Sequence, residues 1–374
     1  MLQADIQIQR TEHIPQLDGL RGIAILMVVC YHFFPGNIIC NFGWAGVDLF
    51  FVLSGFLITG RLLPFLNDHR ILQKFYRNRF LRIAPLYFSF LIIFFTGWFM
   101  LSSAQTLSSF GFYKTHWWQF FLFIQNWVFA NNIAESKTHL QHLWSVAVEE
   151  QIYMLFPLFL ILVRNKNKIL YAVIFMIITI LASRLYYFNF VMEKEAYLKI
   201  YLNTFFRLDS FLCGVLVYLI YNNQLHYRKI LTFIKWMGLL CMLVLFIYMA
   251  VNHDAEKNNA FISGSGYTII ALMFAGLLMV TLLKKNKIIN RVTSLAFLRF
   301  TGKISYGMYI FHWPLFLFGF IFLNKLFAYL NYMPHSNTIH FINVLICLPA
   351  TYLVSILSYK YFESYFLKRK VRTI

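Results

Sequence analysis

Three ionisable side chains interrupt the first apolar run of the chain: Asp18, Arg21 and His32. A charged group in lipid costs at least about 2.5 kcal/mol on insertion scales, so each needs a partner or a function. On a helix turning 100° per residue, the eleven steps from Arg21 to His32 leave the two about 20° apart around the axis and about 16 Å apart along it. Asp18 falls about 40° from His32, so all three share one face. Asp18 and Arg21 are spaced to pair with each other. His32 differs in kind, because an imidazole can remove a hydroxyl proton near neutral pH, and it is the leading candidate for a general base.

Other chemistry-bearing residues recur in apolar surroundings. Asp48, within Gly46-Val47-Asp48-Leu49-Phe50-Phe51, needs a partner, and Ser54-Gly55 further on lets a ligand or a second helix approach closely. Glu149 and Glu150 follow Trp144-Ser145 and cannot face the same way on a helix; the spacing does not say which points inward. The inward one could support His32 or pair with Arg21 or Arg207. Arg79 and Arg82, at i and i+3, share a face and can clamp phosphate oxygens, which suits a coenzyme carrying a pyrophosphate and a 3′-phosphate. Further polar groups sit in Arg207-Leu208-Asp209 and between Ser305 and Pro314, where Trp313-Pro314 predicts a kinked helix whose His312 serves backbone carbonyls. His13 and Asp18 fit a His-x4-Asp spacing, but Pro15 disturbs the helical geometry between them and the pattern is discounted. Five cysteines, scattered and odd in number, offer neither a disulfide framework nor a metal spacing. No phosphate-binding glycine loop, dinucleotide fingerprint or nucleophile elbow is present.

The elements that must position these residues are membrane helices. Hydrophobic residues make up 60% of the 374 and charged ones 13%, with a mean hydropathy of +0.63, which excludes soluble, disordered, collagen-like and disulfide-stapled chains. Apolar stretches of the length a bilayer requires recur at 16–35, 44–63, 83–101, 143–163, 169–188, 205–222, 231–251, 265–283, 304–323 and 339–358. The expected fold is therefore all-α, an integral membrane protein of about ten transmembrane helices. The patch 117–129 is too short to cross and is expected to be interfacial or re-entrant. With the N-terminus inside, twenty-three Lys and Arg fall on the inner side against six on the outer, six of the inner ones in a dense loop at 61–82. That bias puts both termini in the cytoplasm and explains the net charge of +19 by topology, without nucleic acid. The N-terminal segment lacks the apolar core of a cleavable signal. With no linker or repeat, residues 1–374 are expected to form one transmembrane domain with no fused extracellular domain.

Taken in order, several segments resemble the acyltransferase-3 family, integral-membrane O-acyltransferases of bacterial surface polysaccharides. They are Leu17-Asp18-Gly19-Leu20-Arg21-Gly22 leading to His32, Gly46 through Ile58, Arg79-x-x-Arg82, Trp144-Ser145 through Glu149-Glu150-Gln151-Ile152-Tyr153, and Ser305-Tyr306 through His312-Trp313-Pro314. The resemblance spans nearly the whole chain. It implies a multi-pass protein of the bacterial inner (cytoplasmic) membrane that moves an acetyl or other acyl group from cytoplasmic acetyl-CoA or another acyl-CoA to a hydroxyl of a polysaccharide or lipopolysaccharide sugar. Its partners would be acyl-CoA, a glycan or lipid-linked glycan, and membrane lipids, with no metal. The catalytic set it implies is His32 supported by Arg21, by Glu149 or Glu150, and by Asp18. Arg79 and Arg82 would hold the coenzyme, with Ser54 and Asp48 beside them. Substrate contacts are expected from Trp144, Tyr153, Arg207, Asp209, Tyr309 and His312. Transfer is expected to be direct, with a covalent relay through His32, Ser54 or Ser305 as a second route. Acceptor contacts are expected from the outer joints 102–142, 189–204 and 252–264, which carry His116, Trp117, Trp118, His139, His142 and His253. An acyltransferase acting on a lipid or small molecule, and a transporter or flippase of lipid-linked sugar, are the alternatives; the second predicts repeat symmetry that the sequence lacks.

Overall fold

A computed structural model of the chain describes residues 14–68, 70–101, 110–132, 139–191, 196–222, 227–252, 259–284, 286–332 and 334–370. His13 and His253 lie outside the described residues. The helices are, in order, α1 (Pro15–Phe33), α2 (Ile38–Asn41), α3 (Gly46–Leu62), α4 (Ile71–Leu101), α5 (Phe110–Phe121), α6 (Gln125–Asn131), α7 (Trp144–Val163), α8 (Lys166–Tyr186) and α9 (Ala196–Leu202). There follow α10 (Thr204–Tyr221), α11 (Tyr227–Asn252), α12 (Tyr267–Leu282), α13 (Lys287–Thr293), α14 (Ala296–Lys303), α15 (Ser305–Tyr329), α16 (Ser336–Leu357) and α17 (Ser364–Leu367). No strand occurs among the described residues.

Local chemistry sets the ends. Pro15 opens α1 at a position where its missing N–H is no loss, and Asn165, Asn203 and Asn286 each accept two backbone N–H groups at the starts of α8, α10 and α13. Nine helical stretches among the described residues are long and apolar enough to cross a membrane, from Ile38–Phe65 to Ser336–Leu367, and they overlap the nine expected spans that follow the first. The first, α1, is not among the nine: it is 19 residues long and carries Asp18, Arg21 and His32. It is instead enclosed by α3, α14 and α15.

The patch at 117–129 is divided. α5 and α6 meet at Phe123, whose left-handed backbone (φ 55°) reverses the chain, and its carbonyl accepts Gln151 Nε2 of α7 at 2.6 Å. Neither half is long enough to cross. The basic segment 61–82 is not the loop that was expected. α4 begins at Ile71, so Lys74, Arg77, Arg79 and Arg82 ride on its first turns, beyond the apolar length but within one continuous helix.

Two helix pairs touch backbone to backbone. A Cβ on Gly302 of α14 would sit 1.8 Å from Asp18 O of α1, and one on Gly22 of α1 would sit 2.1 Å from Leu298 O of α14. Gly55 of α3 and Gly214 of α10 play the same part against Phe211 O and Val52 O. Ser54-Gly55 thus divides its labour, with Gly55 admitting α10 and Ser54 turned elsewhere.

Candidate active site

α1, α3, α4, α7 and α15 converge on a cleft of about 700 Å³, part of it open to the outside. Three of these helices contribute a stripe at helical spacing: Ser145, Glu149 and Tyr153 from α7, Val47, Phe50, Phe51 and Ser54 from α3, and Arg79 and Arg82 from α4. Arg21 completes the cationic end, and Ser305, Tyr306 and Tyr309 of α15 close the other side.

Glu149 is the carboxylate that lines the cleft. Ser54 Oγ donates to its Oε1 at 2.6 Å, Tyr153 OH donates to the same oxygen, and Ser54 Oγ lies 3.1 Å from Tyr153 OH. The Arg79 guanidinium stacks over the Tyr153 ring, 4.4 Å from its centroid. Glu150 faces away, with Oε1 buried and without a hydrogen-bond partner among the described residues. Arg21 lies within reach of the charges of Arg82, Asp18, Arg61 and Arg79. Lys370, just beyond α17, joins this group. Burial, and then the nearby charges of Arg82, Arg61, Arg79 and Arg21, pull its ammonium down to about 7. Cations so crowded fit the several negative oxygens of a phosphorylated ligand.

At the far end of the cleft, Tyr309 OH donates to His142 O at 2.6 Å and meets Ser145 Oγ at 2.5 Å. One turn along α15, His312 is fully buried with Nδ1 2.8 Å from Tyr309 O and 3.1 Å from Met308 O. Carbonyls only accept, so Nδ1 carries the proton and Nε2 presents a lone pair. That lone pair faces His32 Nδ1 at 3.1 Å, and His32 Nδ1 is also 3.0 Å from Val28 O. His32 therefore holds its proton on Nδ1, and its basic nitrogen is Nε2. The His32 ring packs against those of Trp313 and Tyr31, with centroids 4.7 and 5.0 Å away.

Other expected site residues lie elsewhere. Asp48 and Arg207 form a fully buried ion pair at 2.6 Å, with Ser210 Oγ donating to the same carboxylate oxygen and Tyr267 stacked 4.0 Å from the guanidinium. Asp209 is paired with Arg184 at 2.7 Å and accepts from Thr268. These charges tie α3, α8, α10 and α12 together, and Asp48, Arg207 and Asp209, expected at the coenzyme and the substrate, lie outside the lining of the cleft. Trp144 is likewise core, packed on Tyr201 with centroids 4.5 Å apart. The carboxylate support expected for His32 is also not adjacent to it. Glu149 is bonded to Ser54 and Tyr153, and His312 is one of the neighbours that hold His32.

Ser145, Tyr306 and Lys370 were not read as site residues from the sequence. The i, i+4, i+8 series Ser145, Glu149, Tyr153 was the available signal for Ser145; nothing local marks Lys370. Outside the spans, His139 packs between Trp98 and Phe318, and burial lowers its pKa. A second, shallower cavity of about 780 Å³ between α5 and α6 is lined by His116, Gln119, Trp127, Asn131 and Asn132. Among the described residues no cluster of His, Cys, Asp and Glu could hold a metal ion.

The fold and cleft define a class: a multi-pass helical membrane protein with a cationic cleft, and with the His32–His312 pair next to it on α1 and α15 but outside the residues that line it. Within that class the chain belongs to the acyltransferase-3 family, whose profile, described as an acyltransferase domain, matches residues 14–360. A candidate peptidoglycan O-acetyltransferase of Bacillus subtilis (strain 168), YrhL, is 30% identical over 344 residues, covering 82% of this chain and 49% of that protein. The O-acetyltransferase OatA of Staphylococcus aureus (strain NCTC 8325 / PS 47) is 28% identical over 321 residues, covering 82% of this chain and 51% of its own. The chain spans about half the length of these relatives. No solved structure matches.

Proposed function

We propose that this chain is an O-acyltransferase of the cytoplasmic membrane that moves an acetyl group from acetyl-CoA to a glycan hydroxyl on the outer side. The observation that carries the reading is the polarity of the cleft: cations at one end, the His32–His312 pair beyond the other. The positive-inside bias supports a cytoplasmic position for the cationic end. Arg79, Arg82, Arg21 and Lys370 hold the phosphates, and Ser54, Glu149 and Tyr153 form the polar wall beside them. The roughly 16 Å between Arg21 and His32 along α1 is of the order spanned by an extended pantetheine arm.

The donor supplies an activated acyl carbon, and the remaining steps belong to the chain. His32 Nε2 takes the acceptor hydroxyl's proton as that oxygen bonds to the acyl carbon. The imidazolium so formed keeps Nδ1–H directed at Val28 O and His312 Nε2, which disperse its charge. His32 then returns the proton to the departing sulfur as the carbon–sulfur bond breaks. Trp313 and Tyr31 limit water around the imidazole. The cavity with Trp127, His116, Gln119, Asn131 and Asn132 offers the aromatic face and hydrogen-bonding groups that a sugar requires, which supports it as an acceptor contact.

Purified protein in nanodiscs is expected to bind acetyl-CoA saturably. The Arg79→Ala, Arg82→Ala double variant should bind at least about tenfold more weakly at matched salt, since each charge-assisted hydrogen bond contributes about 1.5–3 kcal/mol. Absence of binding by folded wild-type protein would overturn the donor assignment.

A further inference from the structure

Cys30 and Cys40 look unrelated in the sequence, and the fold brings their Sγ atoms to 2.7 Å. α1 ends at Phe33, the chain turns through Gly36 at φ 85°, and α2 returns beside α1 with Cys40 facing Cys30. The strap between them is set by its own bonds. Asn37 Oδ1 accepts the N–H groups of Ile39 and Cys40, and Gly36 N–H donates to Asn41 Oδ1 at 3.2 Å. It is also the exposed part of this region, with Phe34, Ile38 and Ile39 at the surface, whereas Gly43 just beyond is seated against Met27 O of α1. Both thiols are partly accessible, unlike Cys213, Cys241 and Cys347, which are buried.

We propose that Cys30 and Cys40 are a modification site, closing to a disulfide that staples the 34–41 strap to the end of α1 that bears His32. The proposal rests on the orientation given above, which sets this end of α1 on the outer, oxidising side. The oxidant is a disulfide donor, either a thiol–disulfide oxidoreductase or a small-molecule disulfide. One cysteine thiolate attacks a donor sulfur and expels the other donor sulfur as a thiol, leaving a mixed disulfide. The second cysteine thiolate then attacks the Cys sulfur of that bond. Two electrons and the two protons from the Cys thiols leave with the donor, now two thiols. Cys30 and His32 are about 160° apart around α1, so the staple holds the helix end without touching the imidazole.

The test is thiol mapping on the full chain in native membranes. Membranes are acid-quenched, denatured, alkylated with iodoacetamide and digested without reductant. The expected result is a peptide pair joined through Cys30 and Cys40, with the other three of the five cysteines alkylated and all five alkylated after reduction. Cys30→Ser should abolish the cross-link and make Cys40 alkylatable. Dithiothreitol should lower the thermal midpoint of the wild type and leave that of Cys30→Ser unchanged. Five alkylated cysteines both before and after treatment with oxidised glutathione would overturn the proposal. Cross-linking only after oxidised glutathione would also overturn it as stated, since this end of α1 would then face a reducing compartment. The cross-link should persist in His32→Ala, so loss of transfer and loss of the staple are separable results.

Discussion

An imidazole with Nδ1–H fixed by Val28 O and His312 Nε2 offers one basic nitrogen, and the proposed mechanism makes it the base. His32→Ala is expected to lower acetyl transfer by at least about 100-fold, as loss of a general base does, with acetyl-CoA binding retained. Release of free thiol in the presence of a glycan acceptor measures it; unchanged release would remove the assignment. Lys370 supplies a pH dependence. Its ammonium is held at about 7 in the folded protein and near 10.4 in an unfolded chain, so between those values the unfolded state binds more protons. Stability from this group therefore rises as pH climbs from about 7 toward 10. Lys370→Met should raise the thermal midpoint at pH 6.5 and flatten its rise toward pH 9.5; a steeper rise would contradict the crowding. At this scale the sequence made the Arg21–His32 alignment and the Arg79–Arg82 pair legible, because helical periodicity alone defines them. It could not show that Glu149 rather than Glu150 lines the cleft, that Asp48 belongs to Arg207, or that Cys30 meets Cys40. Each of those depends on which helix lies opposite.

Among the elements, α1 and α14 approach so closely that no side chain fits between them. Gly302→Ala should destabilise the fold by about 1–3 kcal/mol, the range for overpacking a filled core, read as a lower midpoint of unfolding in detergent. An unchanged midpoint would mean that α14 stands off from Asp18. The nine membrane-capable helices among the described residues were legible because lipid demands long apolar runs, and that demand is local. The start of α4 was not legible, since its basic first turns extend past the apolar stretch and resemble a loop in composition. The shortness of 117–129 was legible from its length, but not its division at Phe123, whose carbonyl is bonded by Gln151, a residue of a different helix.

For the whole molecule, the charge bias predicts which joints face which compartment. A membrane-impermeant maleimide should label Tyr332→Cys, in the exposed turn between α15 and α16, in intact cells, and Lys287→Cys, at the start of α13, only after permeabilisation, above the background of native cysteines. The reverse pattern would invert the proposed direction of transfer. The contact of α1 with α14 and α15 also has a meaning for biogenesis. α1, which carries Asp18, Arg21 and His32, is made well before α14 and α15, which pack on it. Until then α1 must be sheltered by the insertion machinery or remain a poorly anchored segment. A nascent chain arrested before Lys287 should accordingly stay protease-sensitive at α1, and a chain extended past α15 should acquire protection in one late step, when α14 and α15 close on α1.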